Sequence, residues 1–64
     1  METVRDKINK LPKRIKKVML IDKNLLFLGM FNIDDAINQY GDSVYRSTYA
    51  ETYSRIAMII NNTK

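Results

Sequence analysis

Cysteine, histidine and tryptophan are all missing from this 64-residue chain, which also has a single proline and two glycines. No disulfide can close the fold, and without cysteine or histidine an ordinary structural zinc site is excluded. Folding so short a chain buries only about 60% of the surface exposed when it is unfolded. Against roughly 1.5 kcal/mol of ordering cost per residue, that burial leaves a stability near zero. Unusually good packing or self-association must make up the difference, and a homodimer is the default expectation.

The same absences remove most catalytic chemistry. Ser43, Ser47 and Ser54 have no histidine to activate them. Asp34 and Asp35 are neighbours, so on a helix they diverge by about 100° and serve the helix dipole rather than a cation. Gly29 and Gly41 stand alone, which rules out a glycine-rich phosphate loop. The chain therefore reads as non-enzymatic, with no catalytic residue, no cofactor and no metal site. The longest apolar run, residues 25–31, is interrupted by Gly29. Neither a signal peptide nor a membrane span is indicated, and a cytoplasmic location is expected.

Charge is present in quantity and is unevenly placed. Eleven Lys and Arg face seven Asp and Glu, a net +4. Residues 1–17 hold Arg5, Lys7, Lys10, Lys13, Arg14, Lys16 and Lys17 against Glu2 and Asp6, whereas the acids of residues 18–64 outnumber their cations by one. A basic arm of this kind suits nucleic-acid phosphates, an anionic membrane surface or an acidic protein partner, though many charge runs are merely solvated.

Val4, Ile8, Leu11 and Ile15 recur at steps of four and three, which predicts an amphipathic helix over 2–11, ended by Pro12. Two apolar runs, Val18-Met19-Leu20-Ile21 and residues 25–31, flank Asp22-Lys23-Asn24 and predict a β-hairpin with Asn24 in the left-handed position. One long helix over 23–40 is the competing reading. Asn32 then caps a short helix over 33–40 that stops at Gly41. From Ser43 onward, Tyr45, Tyr49, Thr52, Tyr53, Ile56, Ala57, Ile59 and Ile60 fall within an arc of roughly 160° at helical spacing, which predicts a C-terminal helix with Tyr49 and Ile56 buried. Residues 61–64 are expected to fray.

Tyr40, Tyr45, Tyr49 and Tyr53 suit a core or a subunit interface better than base stacking, since readers of single strands use exposed strands and Phe27 and Phe31 are expected to face inward. Arg46 and Arg55 are the only cations of the C-terminal segment before Lys64. Residues 18–47, with Gly29-Met30-Phe31, Ile33-Asp34-Asp35-Ala36 and Gly41, resemble the modular DNA-binding motifs of intron-encoded homing endonucleases, a resemblance that implies a recognition helix over 44–57. The run Ser47-Thr48-Tyr49-Ala50-Glu51-Thr52-Tyr53-Ser54-Arg55 is similar to the second helix of ribbon-helix-helix repressors of the Arc type. That likeness implies an intertwined dimer with its groove-reading strand at 14–21.

The expected architecture is one small α+β domain over 1–64: a basic segment over 1–17, then a β-hairpin and two C-terminal helices over 18–64. All-helical and ribbon-helix-helix folds are the alternatives. The leading functional expectation is a small basic nucleic-acid-binding protein, for DNA or RNA. It would contact phosphates through Arg5, Lys7, Lys10, Lys13, Arg14, Lys16 and Lys17, with Arg46 and Arg55 as further contacts. The second is an inhibitor or adaptor of the kind viruses and plasmids encode, covering an acidic or nucleic-acid-binding surface on a larger host protein. A membrane-surface peptide is a weaker third, because the 2–15 stripe has no Trp or Phe anchor.

Overall fold

A computed structural model describes residues 1–62. Thr3 opens its first helix, α1 (Val4–Asn9), through a capping box: the Asp6 N–H donates to the Thr3 hydroxyl and the Thr3 N–H donates to the Asp6 carboxylate, each at 3.2 Å. Two further N–H groups at this end donate outside the helix, Val4 to the Ser43 carbonyl and Arg5 to the Gly41 carbonyl. These bonds satisfy donors that have no partner within a helix and tie α1 to the loop that follows the second helix. The helix stops at Asn9, short of Pro12, and Val4 and Ile8 of the predicted stripe are buried along with Ile15.

Strand β1 (Lys17–Asp22) pairs antiparallel with β2 (Phe27–Asn32), so the predicted hairpin is present. Its turn differs in detail: Leu25, not Asn24, takes the left-handed conformation, at φ 63°. Gly29 has φ 143°, and a Cβ there would meet the Phe31 ring at 3.0 Å, so this glycine lets Phe31 fold back over its own strand. Asn32 caps α2 (Ile33–Tyr40), accepting from the Asp35 N–H at 2.8 Å, and Gly41 ends it. Gly41 is right-handed, at φ −56°; a Cβ would collide with the Ile37 carbonyl oxygen and crowd the Arg5 guanidinium.

The predicted C-terminal helix is not formed. Residues from Val44 onward make a second hairpin, β3 (Val44–Glu51) and β4 (Arg55–Asn61), turning through residues 52–54. Of the described residues 45% are thus in strands and 23% in helices, and the expected two C-terminal helices give way to one helix and two strands. The all-helical and ribbon-helix-helix alternatives fail with them. So do the recognition helix at 44–57 and the groove-reading strand at 14–21, because β1 is an interior strand of the sheet. The helical spacing of this strand-forming segment has a physical cause. Tyr, Thr, Ile and Val crowd this segment and favour strands, while bulges between Tyr45 and Ser47 and between Thr48 and Ala50 break the two-residue alternation. With the alternation broken, the apolar positions match helical spacing by accident. Asn61, expected to fray, belongs to β4; Thr63 and Lys64 lie outside the described residues.

The sheet order is β2-β1-β4-β3, with the two central strands parallel and both edge pairs antiparallel. Both helices pack on one face. Val4, Ile8, Ile15 and Ala36 meet Val18, Leu20, Ile56, Met58 and Ile60 there, and Phe31, Ile33, Ile37, Tyr40 and Tyr45 close the margins. Ile56 is buried as expected, but Tyr49 is 62% exposed. No helix among the described residues is long and apolar enough to cross a membrane.

Candidate functional site

The fold sorts the nine candidate cations into two groups. Arg5 reaches Asp42 at 2.6 Å, Lys10 reaches Glu2 at 3.0 Å, and Lys7 lies over the Tyr45 ring at 5.1 Å. Arg14 donates to the Tyr53 carbonyl at 2.6 Å, reaches Glu51 at 3.3 Å and covers the Tyr53 ring, so it braces the β3–β4 turn. Arg5, Lys7 and Arg14 tie α1 and the segment after it to other elements, while the Lys10–Glu2 pair spans α1 itself. Lys13, Lys16, Lys17, Arg46 and Arg55 are exposed and form no ion pair among the described residues.

Strand register then decides which of the free cations meet. Lys17 is the direct neighbour of Arg55 across the central parallel pair, and the Lys16 and Lys17 N–H groups donate to the Ser54 carbonyl. Lys13 and Lys16 line a hollow of about 410 Å³ with Ile8, Leu11, Ile15 and Ile33. One end of the sheet therefore gathers Lys13, Lys16, Lys17 and Arg55 around the braced Arg14, although α2 with Asp34 and Asp35 begins from the same end, where Asn32 pairs with Lys17. Arg46 does not join them. It sits in the bulge beside Tyr45, at the end where Val44 pairs with Asn61.

A second surface adjoins this end and was not foreseen from the sequence. Strand side chains alternate between faces. With Val18, Leu20, Ile56, Met58 and Ile60 turned to the helices, Met19, Ile21, Ala57 and Ile59 point to the opposite face, over which no element of the described chain lies. Register places Met30 beside Met19 and Phe27 beside Ile21. Two shallow hollows mark this face. One, of about 140 Å³, is lined by Ile21, Leu25, Phe27 and Tyr49; the other, of about 160 Å³, includes Met19, Met30, Ala50, Arg55 and Ala57. Phe27, expected to face inward, is 59% exposed. A signal for this face was present in the chain. Val18 to Ile21 and Ile56 to Ile60 are apolar at every position, the pattern of strands covered on both sides rather than one.

The arrangement offers charge and apolar area but, among the described residues, no converging nucleophile, base or carboxylate group. No three of His, Cys, Asp or Glu among them come together as a metal site. Compared with protein-family models, with curated proteins and with solved structures, the chain matches none, so these surfaces alone carry the functional reading.

Proposed function

We propose that the protein is a non-enzymatic nucleic-acid-binding module that contacts phosphates through Lys13, Lys16, Lys17 and Arg55. The observation that carries this reading is the placement of these exposed cations at one end of the sheet, Lys17 beside Arg55 and Lys13 with Lys16 around one hollow, while Arg5, Lys10 and Arg14 are held in ion pairs. Lysine and arginine side chains free of internal partners replace counterions on a phosphate backbone, and the ions released drive binding. Contacts of this type position a protein on nucleic acid without reading its sequence, so DNA and RNA both satisfy the reading.

The test is the salt dependence of binding to a random 20-mer duplex and to a random single strand. Replacing Lys13, Lys16, Lys17 and Arg55 by Gln should flatten the slope of log affinity against log salt by about 0.9 for each duplex phosphate that is no longer neutralised. All four side chains are exposed, so the variant should keep its fold. Absence of nucleic-acid binding by the unaltered protein at low salt would refute the reading. The second reading, an inhibitor or adaptor for a larger protein, draws on the apolar sheet face, which suits a protein partner better than a phosphate backbone. Its slope with salt would be shallow and would saturate after a few rim pairs.

A further inference from the structure

We propose that the uncovered sheet face is a self-contact surface, on which a second copy of this chain packs face to face with its strands running antiparallel to those of the first. Three observations converge on this occupant. Both central strands are apolar at every position from Val18 to Ile21 and from Ile56 to Ile60, yet the helices cover only one side of them. Parallel strands with such sequences are normally covered on both faces. The residues lining the open face, Met19, Ile21, Phe27, Met30, Ala57 and Ile59, carry no charge; Ile21 and Ala57 are already buried by their neighbours, so Phe27 and Met30, with Leu25 and Tyr49 at the rim, supply the apolar area left to cover.

The charges that do reach the face fix the orientation. Lys17 and Arg55 are adjacent at one end only. A twofold axis that reverses the strands separates the two cation pairs by about 20 Å for a six-residue strand, well beyond the screening length of about 8 Å at physiological salt, and sets each pair at the end where the other copy carries the single Arg46. A parallel stacking would instead bring all four cations together, which disfavours it.

Area is the third argument. Four strands about 4.8 Å apart and about 20 Å long give a plan area near 380 Å² per copy. Accessible area exceeds plan area because side chains stand proud of a sheet, and Leu25, Phe27 and Tyr49 project from this one with exposures of 65%, 59% and 62%. The pair of faces thus offers about 760 Å² in plan, and these projecting side chains must supply the remainder of the roughly 1,200 Å² at which stable interfaces begin. A second copy also supplies the staple that a chain without disulfide or zinc lacks. Lys17 and Arg55 lie at the rim of the interface, so the dimer presents a cationic end on each side.

Sedimentation from 1 to 500 µM tests the proposal, with a monomer–dimer equilibrium expected. Phe27→Lys with Tyr49→Lys places cations on two exposed positions and should weaken the dimer at least tenfold while the circular dichroism spectrum is retained. Because the chain has no cysteine, Met30→Cys introduces its only thiol, 43% exposed before the change. Its reaction with a disulfide reagent should slow as protein concentration rises, whereas that of Asn38→Cys on α2 should not. A wild type that stays monomeric at 500 µM overturns the proposal, as does a dimer insensitive to the double lysine variant. Protection of the Met30→Cys thiol by oligonucleotide in a monomeric protein would assign the face to nucleic acid instead. Dilution of the unaltered protein separates its dimer without adding charge, so the salt slope of the basic end is read on the monomer and the two readings fail separately.

Discussion

Leu25 is the one non-glycine residue among those described with positive φ, and it is 65% exposed at the rim of the open face. A left-handed L-residue with a bulky side chain costs roughly 1–2 kcal/mol, a cost that asparagine largely avoids. Leu25→Asn should therefore raise stability by about 0.5–1 kcal/mol in urea titrations at low micromolar concentration. If the face is a self-contact, the same change should weaken the dimer, because it removes an apolar side chain from the hollow shared with Phe27 and Tyr49. At the other end of the chain, Thr3→Ala removes the α1 cap and should cost about 1 kcal/mol. The Thr3 N–H and hydroxyl hold the fully exposed Asp6 carboxyl below its ordinary value. A carboxyl lowered in the folded state contributes stability above its unfolded value, near pH 4, and that contribution is lost as pH falls through the folded value. The stability of Asp6→Asn should accordingly fall less steeply than that of the wild type below pH 4, as read by thermal melts from pH 5 to 2.

Among the elements, the sequence exposes those whose causes are local. Asn32 with Asp35 and the stop at Gly41 act within four residues, and α2 lies where these signals put it, whereas α1 is shorter than the 2–11 that apolar spacing predicts, because the Thr3–Asp6 capping box starts it at Val4. The second hairpin was hidden because its cause is not local. Two bulges in β3 displace its alternation, and the parallel pairing that fixes β4 joins residues almost forty positions apart, Val18 with Ile56 and Leu20 with Met58. The candidate site divides along the same line. Lys13, Lys16 and Lys17 stand out in any count of charge, whereas Arg55 joins them only through register, and the open face becomes visible only once the helices are known to share one side. The same two-sidedness predicts contrasting substitutions. Leu20→Ala, at a side chain with no exposure between sheet and helices, should cost about 2–5 kcal/mol. Tyr53→Ala, 78% exposed with its ring against Arg14, should cost no more than about 1 kcal/mol. Were the segment the helix its spacing suggests, Tyr53 would lie in the apolar stripe and its removal would cost about 3–5 kcal/mol. Chemical denaturation of the two variants distinguishes these cases.

At the scale of the whole molecule, the question is whether its positive charge acts as one field or from one place. Arg5 is tied to Asp42 in the loop after α2, and Arg46 sits beside Tyr45, both near the end of the sheet where Val44 pairs with Asn61. Lys17 and Arg55 mark the opposite end of the strands. About 20 Å separates the two ends, more than twice the screening length at physiological salt, so cations at one end contribute little to a phosphate held at the other. Replacing Arg5 and Arg46 together by Gln should then leave the salt slope of duplex binding unchanged. The exposed Arg5–Asp42 pair it removes is worth at most about 1 kcal/mol of stability. Replacing Lys17 and Arg55 together should lower the slope by about 1.8, two phosphates at about 0.9 each. Both variants remove two positive charges, so net charge is matched and only position differs. Equal reductions from the two variants would mean that the chain binds through its overall charge, and the gathered end would then have no special part in recognition. A reduction confined to the Lys17 and Arg55 variant, measured by fluorescence anisotropy between 25 and 200 mM salt, would assign binding to the end that strand register assembles.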